Sequence, residues 1–329
     1  MKNISDNLPG ILLTVLIAIP AWLLGKSFPV IGSPVLGILF GMLLAFWQRP
    51  DKFSEGIKFT SKKLLQVSII LLGFGMNLHN ILKIGSQTLA LMVFTITATL
   101  LIAFFAGRLL KIGGKTATLI GVGTAICGGS AIAATAPVID ADNDEVAHAI
   151  STIFLFNVIA AFLFPLLGHM LGMSDFTFGL WAGTAVNDTS SVVAAGYSFS
   201  SDAGDLAVIV KLTRTLMIIP IAVLLAIYTS RQAIGSKAIA KFSIVKVFPW
   251  FVLGFLATAI MNTWLDIPPV LVNALVQSGK FLIVMAMAAI GLNTHLPQLV
   301  KSGGRPIILG FICWLALSVT SLIVQYIMF

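Results

Sequence analysis

The sequence predicts an all-α, polytopic membrane protein of about eleven transmembrane helices. Three observations predict it. Hydrophobic residues make up 58% of the 329-residue chain and charged residues only 10%, with mean hydropathy +1.03, whereas soluble domains carry about 25% charge. Apolar runs of about 20 residues, the length that crosses a bilayer, follow one another from end to end. The basic residues between those runs gather on alternate connections, as the positive-inside rule requires.

The runs fall near 10–27, 31–48, 62–80, 86–109, 115–139, 146–170, 176–198, 204–229, 245–263, 270–294 and 304–328. The first follows a charged start, and no small-residue cleavage pattern succeeds it, so it reads as a span rather than a removed leader. The polar stretch around Asn77–Lys83 parts the third run from the fourth, and Arg108–Lys115 parts the fourth from the fifth. Acidic residues Asp140–Glu145 precede the sixth, a loop read as solvated. Asp202 and Asp205 precede or open the eighth, Asp266 precedes the tenth, and Lys301–Arg305 the last. No stretch reads as a linker to a soluble domain, so residues 1–329 form one transmembrane domain.

Of the 20 Lys and Arg residues, only Lys26 and Lys83 fall in the connections of one side. That side also holds Asp140, Asp142, Asp144, Glu145, Asp202, Asp205 and Asp266. The opposite connections hold the other basic residues, apart from three buried in apolar runs. The N-terminus is therefore expected inside and, with an odd number of spans, the C-terminus outside.

The three exceptions are Lys211 and Arg214, in "AVIVKLTRTLMIIP", and Lys280, in "VQSGKFLIVMAMAAIGLNTH". Lys211 and Arg214 are three apart, on one helix face. Arginine offers a planar fork of donors suited to oxyanions, while lysine offers a compact charge. The matching acid is Asp188, within "WAGTAVNDTSSVVAAG", where Asn187, Asp188, Thr189, Ser190 and Ser191 form a polar row mid-span. A carboxylate at that depth costs at least roughly 2.5–3.5 kcal/mol, so it faces a cavity or a partner. Asp188 reads as a site for a proton or a coupling cation such as sodium, with Asn187, Thr189 and Ser190 beside it, or as counter-ion to Lys280. Three deep bases against one deep acid favour an anionic substrate.

"GTAICGGSAIAATAPVI", from Gly123 to Ile139, is a weak helix where a strong one is expected. Its glycines either allow close helix packing or mark a break. A break would bare the amides of Gly128, Gly129, Ser130 and Ala131 to an anion at a helix start. Such irregular backbone is tolerated in a membrane only where it faces protein or a watery cavity.

Other chemistry finds little support. Cys127 and Cys313 lie far apart in apolar runs, so neither a disulfide framework nor a zinc site is expected. His79, His148, His169 and His295 show no metal spacing. Nucleophile elbows, phosphate-cradling loops and ATP motifs are missing from the sequence, which disfavours an enzyme, a cofactor and primary active transport. A net charge of +8 in so apolar a chain concerns topology, and no nucleic-acid partner is implied. One internal echo stands out: Gly75, Asn77 and His79 match Gly291, Asn293 and His295, seven spans apart and hence inverted, as in the repeats of many transporters.

Taken together, "GFGMNL", "GTAICGGSAIAATAPVI", "WAGTAVNDTSSVVAAG" and "AIGLNTH" resemble the YeiH family of bacterial inner-membrane proteins, described as proposed sulfate exporters. The resemblance covers nearly the whole chain and extends to the bile-acid symporter and cation/proton antiporter superfamily. It implies an extra first helix (1–30), two inverted five-helix repeats (31–171 and 172–329), core and panel domains, and elevator-type alternating access. It also implies two discontinuous crossing helices, span 5 broken near Gly128 and Gly129 and span 10 near Gly291 and Asn293. Five-span repeats would pair span 3 with span 8, which conflicts with the Gly-x-Asn-x-His echo. The expected protein is a secondary transporter of a small inorganic or sulfur-containing anion in the bacterial inner membrane, in contact with lipid and in the superfamily's frequent homodimeric form. Ser130 and its neighbouring amides would bind the anion, with Arg214, Lys280 and Asn293. Rival expectations are a sodium–proton antiporter acting through Asp188 and a non-transporting sensor or scaffold.

Overall fold

The structure is a computed structural model that describes residues 4–27, 32–47, 49–232, 248–294 and 303–329; among these, all regular secondary structure is helical. In chain order the α-helices are α1 (Ile4–Ser27), α2 (Ser33–Leu44), α3 (Ser54–Phe59), α4 (Leu65–Leu72), α5 (Leu78–Leu109), α6 (Gly114–Ala125) and α7 (Gly129–Thr135). They continue with α8 (Asn143–Met170), α9 (Asp175–Ala185), α10 (Thr189–Phe199), α11 (Ser201–Leu216), α12 (Ile218–Gln232), α13 (Trp250–Trp264), α14 (Pro269–Leu292) and α15 (Gly304–Met328).

Among the described residues, six segments are long and apolar enough to cross a membrane alone: Asn7–Ser27, Leu78–Leu109, Asn143–Met170, Ser201–Leu225, Pro269–Leu292 and Gly304–Met328. The remaining apolar runs are built from shorter pieces. Helix α2, with 12 residues, reaches only about 18 Å at 1.5 Å per residue, short of a hydrocarbon core of about 30 Å. Run 115–139 is divided between α6 and α7, and run 176–198 between α9 and α10. The start of run 245–263 lies outside the described residues.

Polar side chains cap the starts of α5, α8, α9, α10 and α11. Asn77 Oδ1 accepts the His79 amide at 2.8 Å to begin α5, and Ser200 Oγ accepts the Ala203 amide at 3.0 Å to begin α11. The acidic loop before α8 does more than meet solvent: Asp142 Oδ1 accepts from the Glu145 amide at 2.8 Å, and Glu145 Oε2 accepts from the Asp142 amide at 3.0 Å. This reciprocal box satisfies two donors that a helix start leaves bare.

Two expectations about this end of the chain are unsupported among the described residues. Helix α14 runs unbroken from Pro269 to Leu292 and Asn293 is its C-cap, so no interruption falls before that point, and residues 295–302 lie outside the described residues. The Gly-x-Asn-x-His echo is likewise not seen as a structural repeat among the described residues. Asn77 caps the N-terminus of α5, whereas Asn293 stands at the C-terminus of α14. Asn77 is extended and Asn293 helical in backbone, and His295 lies outside the described residues.

Packing sorts the helices into two groups that mix early and late parts of the chain. Helix α14 lies against α1, α2 and α4, while α13 joins α4. In the other group α11 lies against α9, α10 and α5, and α15 against α5, α6, α8 and α9. Helix α10 touches both, through α8 and α11 on one side and α2 and α14 on the other. The α2–α14 seam shows why glycine is used there. A Cβ on Gly41 would lie 2.3 Å from the Ala288 carbonyl oxygen, and one on Gly291 2.3 Å from that of Ile38. Close backbone approach of this kind is how helices gain contact inside a membrane. Gly41→Val should therefore destabilise the protein by about 1–3 kcal/mol, read as a lower melting midpoint in detergent, while Gly114→Val, with open space around it, should leave the midpoint in place.

Candidate functional site

Two chain breaks meet in the interior. Helix α6 stops at Ala125, and Gly128 adopts φ +68° and ψ −129° before α7 begins at Gly129. That conformation is open only to glycine without strain, which explains the first member of the glycine pair. Helix α9 stops at Ala185, and extended backbone at Val186 and Asp188 leads into α10. The breaks touch: a Cβ on Gly128 would lie 3.5 Å from Asp188 Cβ and 3.6 Å from Asn157 Nδ2.

A helix end leaves its last carbonyls without intrahelical donors, and they carry the negative pole of the helix dipole. Here those carbonyls are met by Arg214 and Lys211, both with 0% exposure. Arg214 donates from Nε to the Ala125 carbonyl at 2.7 Å, from Nη2 to that of Thr124 at 3.1 Å, and from Nη1 to that of Thr184. Lys211 Nζ donates to the Ile126 carbonyl at 2.9 Å and to that of Val186 at 3.0 Å. Each cation thus ties the end of α6 to the end of α9. The i, i+3 spacing on α11 makes this geometry available, because it brings both side chains to one face.

Beyond the breaks the chemistry turns acidic and amidic. Asp188 caps α10: its Oδ2 accepts the Ser190 amide at 2.9 Å and also the Ser190 hydroxyl. The Asp188 amide donates to Asn157 Oδ1 at 3.1 Å. Asn157 Nδ2 and both amide atoms of Asn187 are buried without a hydrogen-bond partner among the described residues. Buried polar atoms are nearly always paired, so these mark a place where something polar is to be met. Cys127, buried within the first break, lies in the electrostatic field of Lys211, Asp188 and Arg214, with the Ala131 amide at its sulfur.

The structure unites Gly128, Asn187, Asp188, Ser190 and Arg214 from the sequence-based set. Gly129 and Thr189 are half-buried beside them, Ala131 is buried and Ser130 is exposed at the start of α7. Two residues go elsewhere. Lys280 Nζ donates to Ser201 Oγ at 3.0 Å and lies 5.4 Å above the Tyr197 ring, whose hydroxyl donates to Asp205. Asn293 Oδ1 accepts from Arg49 Nη2 at 3.1 Å. Lys211 proves as central as Arg214, and Asn157 was missed altogether. Its signal was a lone amide within the apolar stretch "IFLFNVIAAF".

The family model described as "Conserved hypothetical protein 698" matches residues 9–310. A UPF0324 membrane protein of Streptococcus pyogenes serotype M6 is 52% identical, over 99% of this chain and 98% of its own. The chain belongs to the UPF0324 membrane protein family. Other members are equally full-length matches: that of Streptococcus mutans is 49% identical over 98% of both chains, and that of Fusobacterium nucleatum 48% over 98% of this chain and 99% of its own. A multi-pass membrane protein is thus established by kinship as well as by its apolar helices.

The two adjacent glycines should differ on substitution. Gly128→Ala forces a side chain into left-handed backbone and is expected to cost about 1–3 kcal/mol. Gly129→Ala stands in helical backbone with only Phe154 at 3.8 Å, and thermal melting in detergent should show it close to the natural protein.

Proposed function

We propose that this protein is a secondary transporter of a small inorganic or sulfur-containing anion, sulfate- or sulfite-like, working in the bacterial plasma membrane as an exporter. The observation that carries the reading is the meeting of two interrupted helices whose carbonyl ends are held together by fully buried Lys211 and Arg214. A protein with a purely structural task gains nothing from breaking two membrane helices at one point and burying two charges to mend them. Interrupted helices that meet at depth are a recurrent way for secondary transporters to present backbone groups to their cargo.

In this reading α6 with α7, and α9 with α10, each count as one crossing, which returns eleven crossings with the N-terminus cytoplasmic and the C-terminus periplasmic. The group around α5–α11 and α15 moves as the elevator against the group around α14. The inverted repeats implied by the YeiH resemblance belong to the same proposal, with the second interruption in span 7 rather than span 10. Two bases against one acid leave the crossing positive, which suits an anion. Asn157 Nδ2 and Asn187 Nδ2 supply unspent donors, and Ser130 the exposed hydroxyl at the α7 start. Asp188 is the coupling residue, and no bond of the cargo is made or broken.

Reconstitution tests this reading. Proteoliposomes loaded with labelled sulfate or sulfite should release the anion under an imposed ion gradient, and Asp188→Asn should reduce the rate at least tenfold. Dissipation of a pH gradient on adding sodium, with no anion flux, would favour the sodium–proton antiporter. Inert proteoliposomes under both conditions would favour the sensor or scaffold.

A further inference from the structure

Five backbone carbonyls from two helix ends converge on two side-chain cations, and that arrangement has a familiar chemical counterpart. Unwound carbonyls and half-helix C-terminal ends are the groups with which transporters coordinate sodium. Sodium is a hard cation satisfied by oxygen ligands, and carbonyls at the negative pole of two helices supply them. Here the same groups are already filled. Thr124, Ala125 and Thr184 give their carbonyls to Arg214, and Ile126 and Val186 give theirs to Lys211.

We propose that the Lys211 ammonium, seated on the Ile126 and Val186 carbonyls, is a tethered substitute for a bound sodium ion, so that this protein requires no sodium at the helix crossing. The proposal deepens the transporter reading and rests on it only for the word coupling; the occupancy of the seat is a property of the folded protein. The geometry supports Lys211 rather than Arg214 as the substitute. An ammonium is compact and spherical, nearest to a metal ion in shape, and it joins one carbonyl from each break. Arg214 spreads over three carbonyls as a planar fork and serves as the fixed clasp beside it. Asp188 does not offer a second seat. Its Oδ2 is engaged in capping α10, and Lys211 lies within its field, so an added sodium ion there would face a like charge.

The test uses purified full-length protein in detergent and compares melting in sodium chloride with melting in choline chloride at equal ionic strength. Binding to the folded state raises its stability according to occupancy. The natural protein should melt at the same temperature in both salts. Lys211→Ala empties the seat and leaves room for an ion with its water, so its midpoint should rise by several degrees in sodium over choline. Lys211→Met fills the seat without charge and should be less stable in both salts with no sodium effect. A sodium-dependent midpoint in the natural protein would overturn the proposal, as would a folded Lys211→Ala that ignores sodium. If Lys211→Ala is recovered folded only from sodium-containing buffer, the substitution is demonstrated; if neither salt yields folded protein, a free cation cannot replace the ammonium and the proposal falls. Anion flux plays no part in this measurement, so failure of the transporter reading would show itself separately.

Discussion

A backbone carbonyl freed inside a membrane must find a donor, because no water is there to supply one. Each unsatisfied group costs several kcal/mol in hydrocarbon. Breaking a helix at mid-depth therefore creates a debt of carbonyls on one side and of amides on the other. In this protein one face of α11 meets the first: Lys211 and Arg214 reach across to the ends of α6 and α9. The second is met unevenly. Asp188 supplies α10 with its cap, while α7 starts at Gly128 with no side-chain cap. The same constraint thus fixes where the charges lie, which helices touch, and where polar groups remain unspent.

The charges also explain each other. A cation buried without compensation would be ruinous in this setting. Two cations placed on the negative poles of two helices, with a carboxylate in the same field, form a compensated cluster that no pairwise ion contact describes. None of the three needs a direct salt bridge. The cluster's polarity is carried by backbone, and backbone is what the break exposes. Replacing the glycine break by a regular helix would remove the carbonyls and strand the cations in one stroke.

How much of this was legible beforehand depends on the range of the interaction. Local features were readable: the Gly128–Gly129 pair signalled a break, and the Asn187–Ser191 row signalled polar groups that need a cavity or a partner. Membrane class and the buried positions of Lys211 and Arg214 followed from composition and hydropathy. The partners did not, because Arg214 finds its carbonyls 30, 89 and 90 residues away in sequence, and carbonyls leave no trace in residue type. A guanidinium deep in a membrane was therefore read as a ligand for cargo when it is first a clasp for backbone. The resemblance placed the second break in span 10, and the parting of α9 from α10 at Val186–Asp188 was not foreseen. Lys280 was grouped with the deep bases by its place in an apolar run, yet Tyr197 and Ser201 take it.

The central claim is that Lys211 and Arg214 jointly hold one structural element, the crossing of the two breaks. A double-mutant cycle on unfolding free energy, with Lys211→Met, Arg214→Met and both together, tests that claim most directly. If both cations clasp the same crossing, losing either loosens it, and the second loss should add clearly less than it does alone. Additivity within about 0.5 kcal/mol, the behaviour of independent sites, would contradict the account.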